Sequence, residues 1–137
     1  MCSNYSICDI MLLEMCFYIL KGFFMGKVNL CIKSCLINEE MEYNIKGILQ
    51  DNKIKYQDKD AKMIIDMNNN ILERIKKEER YLFDFNNNIC ITKTSKFEVS
   101  IPIKVLECNN KNNNMFFVKY QIENNLYEYK INILEEI

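Results

Sequence analysis

Residues Phe116–Ile133 read FFVKYQIENNLYEYKINI, and this stretch decides the fold. Phe116, Val118, Tyr120 and Ile122 alternate with Lys119, Gln121 and Glu123. Tyr127, Tyr129, Ile131 and Ile133 then alternate with Glu128, Lys130 and Asn132. A hydrophobic period of two marks a strand with one buried face, because successive side chains point to opposite sides of the pleat. The same alternation runs through Phe97, Val99, Ile101, Ile103 and Val105, and through Val28, Leu30 and Ile32.

Between these strands the pattern is shorter but of the same kind. Met41–Gln50 and Lys53–Asp58 read as a hairpin turning at Asp51-Asn52. Ala61–Met67, Arg80–Phe85 and Ile89–Thr94 read as further strands. Ile71–Lys77 is rich in good helix formers, and its context alone favours strand, turn, strand. The connections are built on asparagine: Asn68–Asn70, Asn86–Asn88 and Asn112–Asn114 each sit between two apolar runs. Past Gly26 the chain has one glycine, Gly47, so asparagine must supply the left-handed backbone positions of tight turns. Pro102 falls on the outward-facing set of its strand, which predicts an edge position or a bulge. About ten short strands with turns this brief have no room for parallel crossovers, which take about a dozen residues. The expectation is therefore all-β: a single antiparallel, up-and-down β-barrel of about 8–10 strands spanning residues 27–137, since closure removes sheet edges.

Composition narrows the function more by exclusion than by motif. The 137 residues suit one domain, and 49% are apolar, enough for a core. Net charge is −1, and without Asp9, Glu14 and Lys21 of the first 26 residues 17 basic side chains face 17 acidic ones. Such a neutral domain lacks the basic field that nucleic acid or an anionic membrane surface requires, so neither is an expected partner. Histidine is absent, which removes the commonest general acid/base and the commonest metal ligand. With no recognisable catalytic motif the chain reads as a non-enzyme with no cofactor and no metal site. Cys31 and Cys35 share a strand face but stand roughly 13 Å apart, beyond the reach of a disulfide and awkward for one zinc ion. Seven cysteines without a secretory signal read as free thiols in the cytoplasm.

The first 26 residues differ from the rest. Ile10–Met25 is strongly apolar, but Glu14 and Lys21 interrupt it, and the uninterrupted run Met15–Leu20 is far short of the about 20 residues a helical span needs. Lys21-Gly22-Phe23-Phe24-Met25 can be spelled AAA-GGA-TTT-TTT-ATG, a ribosome-binding stretch before a start codon. The segment is thus expected to lie outside the fold, with translation starting near Met25. An amphipathic helix or a weak anchor is the other reading.

From Lys27 to Ile133 the pattern resembles the YwiB-like family of uncharacterised bacterial proteins. The resemblance rests on Ile32-Lys33-Ser34, on Gly47 with the later Tyr56-Gln57-Asp58, and on Leu72-Glu73-Arg74. It also rests on Phe83–Phe85, Phe97–Val105, and Phe116–Ile122 with Tyr120. The chain departs at Lys96, where the family tends to have glycine, and its Gly47 hairpin is shorter, so no role carried by that loop transfers. The resemblance implies a calycin-type, lipocalin-like barrel and no established chemistry.

Two candidate features follow. If Leu72 points inward, Arg74 does too. It then serves either as an anchor for a ligand carboxylate or phosphate, or as a barrel-closing clasp with Asp58 or Glu73 as partner. The inward aromatic set comprises Tyr43, Tyr56, Tyr81, Phe83, Phe85, Phe97, Phe116, Tyr120, Tyr127 and Tyr129. Of these, Tyr56, Tyr81, Phe83, Phe97, Phe116, Tyr120 and Tyr129, with Arg74, are the expected lining for a small apolar or anionic ligand. The competing reading is a filled barrel that serves as a structural or interaction module, with an apolar patch around Pro102 and Leu106.

Overall fold

The computed structural model describes residues 25–36, 39–111 and 114–136, and the N-terminal extension expected outside the fold lies outside the described residues. Among the described residues eleven strands form one sheet: β1 (Met25–Leu36), β2 (Glu39–Gln50), β3 (Lys53–Gln57), β4 (Lys62–Asp66), β5 (Ile71–Lys76), β6 (Glu79–Asp84), β7 (Ile89–Lys93), β8 (Glu98–Pro102), β9 (Lys104–Lys111), β10 (Met115–Ile122) and β11 (Asn125–Glu136). Their order is β8-β7-β6-β5-β4-β3-β2-β1-β11-β10-β9, and every adjacent pair is antiparallel. The first and last strands pair with each other, and the two edges are consecutive in sequence, so the sheet is a nearly closed barrel.

The strand count exceeds the expected 8–10 because one long strand is divided. Phe97–Val105 was expected to run unbroken, but the chain pairs with β7 up to Pro102 and with β10 from Lys104, leaving Ile103 between. Ile103 still donates its N–H to the Asn88 carbonyl (3.0 Å). Residues alternate in the direction their main-chain groups face, so the Pro102 nitrogen points away from β7. The proline therefore breaks no ladder bond, as the edge position expected for it requires.

Three turns repeat one construction. Asn52, Asn70 and Asn88 stand 18 residues apart, and all adopt left-handed backbone angles (φ 61°, 54° and 56°). The carbonyl of each accepts the N–H of the inward residue ending the next strand pair: Met67, Phe85 and Ile103. Asp66 holds its turn through the N–H groups of Asn68 and Asn69, and Asp84 does the same through Asn87. Asn70 also reaches Asn86 through its side chain (3.1 Å), linking one turn to the next. Because no side-chain bond of Asn88 is needed for this linkage, its role is conformational. Asn88→Ala is expected to lower stability by roughly 1 kcal/mol and Asn88→Gly to be neutral, measured from urea midpoints at constant slope.

The inward side chains fill much of the interior. Val28, Leu30, Ile32, Ile54, Ile65, Met67, Phe116, Val118 and Ile131 are completely buried. Each such aliphatic or aromatic side chain contributes about 1.5–3 kcal/mol of transfer free energy. Phe83, Phe85, Phe116, Tyr120 and Tyr127 form a continuous ring cluster beside them, with centroids 5.2–6.2 Å apart. Tyr120 and Tyr127 face each other across the β10–β11 ladder and stack nearly parallel. Two residues further along β6 from Phe83 the inward side chains turn polar, at Tyr81 and its partner Arg74.

Candidate functional site: a tyrosine-lined face around Arg74

One row of inward positions crosses β3 to β8. Tyr56 pairs with Met63, Met63 with Arg74, Arg74 with Tyr81, Tyr81 with Thr92, and Thr92 with Val99. Tyr56 and Met63 are buried, which fixes the facing of the row, and Arg74 shares its side of β5 with buried Leu72. The alternation thus delivers Arg74 inward, half-buried.

The clasp expected for it does not form. Glu73 lies on the outer face, where its carboxylate pairs with Arg80 (Nε–Oε2 2.7 Å). Asp58 accepts the Tyr43 hydroxyl (3.4 Å) and the Lys59 N–H (2.7 Å). Among the described residues no carboxylate makes a salt bridge with Arg74. A half-buried guanidinium with its donors uncommitted is a ready donor site for an anionic oxygen, because its planar fork matches carboxylate geometry.

Tyrosines share this face: Tyr81 is the cross-strand partner of Arg74, and Tyr56 lies two strands away in the same row. Tyr56 and Tyr129 bond to each other hydroxyl to hydroxyl, joining β3 to β11. Burial pushes the Tyr56 and Tyr129 phenols above their ordinary range, and the Tyr120 phenol likewise. Tyr43 is also raised, first by burial, while the Tyr56 hydroxyl and the Arg74 charge pull it down in part. Arg74 is therefore within electrostatic reach of Tyr43. All four phenols stay neutral at physiological pH and act as hydrogen-bond donors and acceptors.

The rim adds charge of both signs. A groove of about 430 Å³ is lined by Asp60, Lys76, Lys77, Glu78 and Glu79. Lys76 stands two residues after Arg74 on the same face of β5, so the groove borders the row. Lys77, Glu78, Glu79 and Arg80 are exposed around the two-residue turn, the solvated turn that the charge run indicated.

The expected lining divides into three groups. Arg74, Tyr56, Tyr81 and Tyr129 belong to the polar face, joined by Tyr43, which the sequence had put among the inward aromatics. Phe83, Phe116 and Tyr120 belong to the ring cluster, and Phe116 is wholly buried in the core. Phe97 was expected inside and is not: it is 56% exposed. It ends the β7–β8 turn, where Thr94 donates its N–H to the Phe97 carbonyl and its Oγ accepts the N–H groups of Lys96 and Phe97. The turn carries the ring past the end of β7, so no second strand covers it. Thr92, not singled out from the sequence, joins the row one strand beyond Tyr81. Its place followed from the same alternation as Cys90, its inward neighbour.

Burial raises the thiols of Cys90, Cys108 and Cys31 above their ordinary value, which keeps them protonated and weakly nucleophilic. Cys31 and Cys35 face outward from β1, half-exposed, and Cys31 reaches Glu42 (Sγ–Oε2 3.6 Å).

No family model matches the chain, and no curated protein matches it. A solved structure does: the crystal structure of ywiB protein from Bacillus subtilis is similar to it over 81% of this chain and 94% of that one, at 14% identity and a TM-score of 0.49.

Proposed function

We propose that this barrel is a non-catalytic binding protein that takes a small molecule bearing one anionic group, with Arg74 as the anchor. The observation that carries this reading is an inward, half-buried guanidinium that has no salt-bridge partner among the described residues. Tyr43, Tyr56, Tyr81 and Tyr129 supply hydroxyls and apolar ring faces on the same inward face, suited to a planar or apolar body. This use of the interior is the calycin-like, lipocalin-like one. Free Cys31, Cys35, Cys90 and Cys108 suit a reducing compartment such as the cytoplasm.

Charge selects among anions. Asp58 sits beside Tyr43, and Asp60, Glu78 and Glu79 outnumber Lys76 and Lys77 at the rim groove. A polyanion such as a phosphate ester meets this negative rim, whereas a monocarboxylate is balanced by Arg74 alone. Titration with 1-naphthoate is expected to raise the melting temperature in proportion to the logarithm of its concentration. Neutral 1-naphthalenemethanol and inorganic phosphate are expected to leave it unchanged. A protein that responds to none of the three, and that releases no organic acid on denaturing extraction and mass spectrometry, would remove the binding reading.

A further inference from the structure

We propose that the free edge of β8 pairs with the same edge of a second copy of this chain, making a twofold dimer through a continuous sheet. β8 is the outermost strand on its side of the seam, and among the described residues it pairs with β7 alone. Its exposure is unusual for this barrel. Phe97 is 56% and Val99 44% exposed, and Glu98, Ser100 and Pro102 are exposed as well.

The direction of the main chain determines what the edge offers. Phe97 and Ile103 both direct main-chain groups toward β7, through the Thr94 N–H to Phe97 carbonyl bond and the Ile103 N–H to Asn88 carbonyl bond. Alternation then assigns Val99 and Ile101 to the β7 side. The N–H and C=O groups of Glu98 and Ser100, with the Pro102 carbonyl, point out of the sheet edge.

These groups are self-complementary in one antiparallel register. With Val99 opposite Val99 on the twofold axis, Glu98 faces Ser100, and the two exchange both main-chain bonds on each side of the axis. Phe97 then lies opposite Ile101, so the exposed inner-face side chains of the two copies cover each other. The Val99 pair is of the non-hydrogen-bonded kind, with Cα atoms about 4.5 Å apart and side chains in contact. No like charges oppose each other, since Lys96 meets Pro102. Shifting the register to place Ser100 on the axis brings Lys96 opposite Lys104, and placing the axis between Glu98 residues sets carboxylate against carboxylate.

The same residues limit the pairing. Pro102 has no N–H, and the Lys96 N–H is already held by Thr94 Oγ (3.2 Å). The ladder therefore ends on both sides of the Glu98–Ser100 exchange, which favours a closed isologous pair over an open-ended filament. The balanced charge of residues 27–137 offers little repulsion against it.

Sedimentation equilibrium of the whole chain, from low micromolar to a few hundred micromolar, tests this. The expected result is a monomer–dimer equilibrium within that range. Ser100→Pro removes the outward donor at an exposed position and is expected to weaken association at least tenfold, while Ser100→Ala, which keeps the N–H, leaves it unchanged. Val99→Lys sets two cations together on the axis and is expected to abolish the dimer without shifting the melting temperature of the dilute protein. A wild-type chain that stays monomeric throughout overturns the proposal, even if its edge captures some other extended peptide. A dimer indifferent to both Ser100→Pro and Val99→Lys overturns it equally.

Discussion

Gly47→Val is expected to leave the chain unable to form its barrel, and Gly47→Ala to cost about 3 kcal/mol, the upper end of the usual overpacking penalty. Gly47 lies where β2 first has a partner on both sides, opposite Val28 of β1 and Tyr56 of β3. A Cβ there would stand 2.5 Å from Leu30 Cδ1 and 2.8 Å from the Lys55 carbonyl oxygen, with Tyr56 Cβ at 3.3 Å. Leu30 is wholly buried, so its methyl has no empty space to enter. The carbonyl belongs to the β3 backbone, and moving it disturbs the β2–β3 ladder and with it Tyr56. A loss of about 3 kcal/mol in a domain of this size lowers the melting temperature by roughly 10–20 °C. Calorimetry on Gly47→Ala checks the magnitude, and an unchanged melting temperature would mean that β2 and β3 can separate at no cost. Gly47→Ser is expected to behave like the alanine variant, which places the cause in the Cβ and not in polarity.

Much of this barrel is legible in the alternation of apolar and polar residues. Phe116 to Ile122 and Tyr127 to Ile133 form β10 and β11 in the facing that their pattern gives, and Asp51-Asn52 turns the β2–β3 hairpin where expected. The asparagine triplets carried more information than their turn chemistry alone. Leu49, Met67 and Phe85 recur every 18 residues just before or within a turn, and Ile103 continues the spacing where the long strand changes partners, so this spacing marks the repeated unit. What the alternation could not give is where the long strand changes partners. That depends on the stagger of strands around the barrel, a property of closure and not of any one segment. Phe97 was misplaced for the same reason: its period is right, but period says nothing about whether a neighbouring strand extends far enough to cover a ring. The absence of a clasp at Arg74 was half legible. Glu73 is its immediate neighbour in a strand and must face the other way, whereas the engagement of Asp58 with Tyr43 depends on how β2 curls over β3.

Arg74→Leu is expected to weaken 1-naphthoate binding by roughly 10–100-fold while leaving the fold as stable as before or slightly more so. The two effects have one origin. A hydrogen-bonded charge pair between Arg74 and a carboxylate is worth about 1.5–3 kcal/mol, and leucine forfeits it. In the free protein the guanidinium is half-buried without a salt bridge among the described residues, so removing it relieves a desolvation cost and breaks no ion pair. Leucine also extends the apolar surface of Leu72 and Met63 on the same side of the sheet. Had Arg74 been a structural clasp, the same substitution would cost several kcal/mol, because a buried partner would be left unpaired. Stability and affinity moving in opposite directions is therefore the signature of an anchor, and moving down together is that of a clasp. Arg74→Lys refines the test. It keeps the charge but loses the planar fork, and is expected to retain part of the affinity for a monocarboxylate. Phe83→Ala supplies the contrast: it opens a void in the ring cluster beside Phe85 and Tyr120 and is expected to lower both quantities. Urea denaturation and isothermal titration on these variants separate the cases. A destabilised Arg74→Leu with unaltered naphthoate affinity would reduce Arg74 to a structural residue and leave the barrel without its anchor.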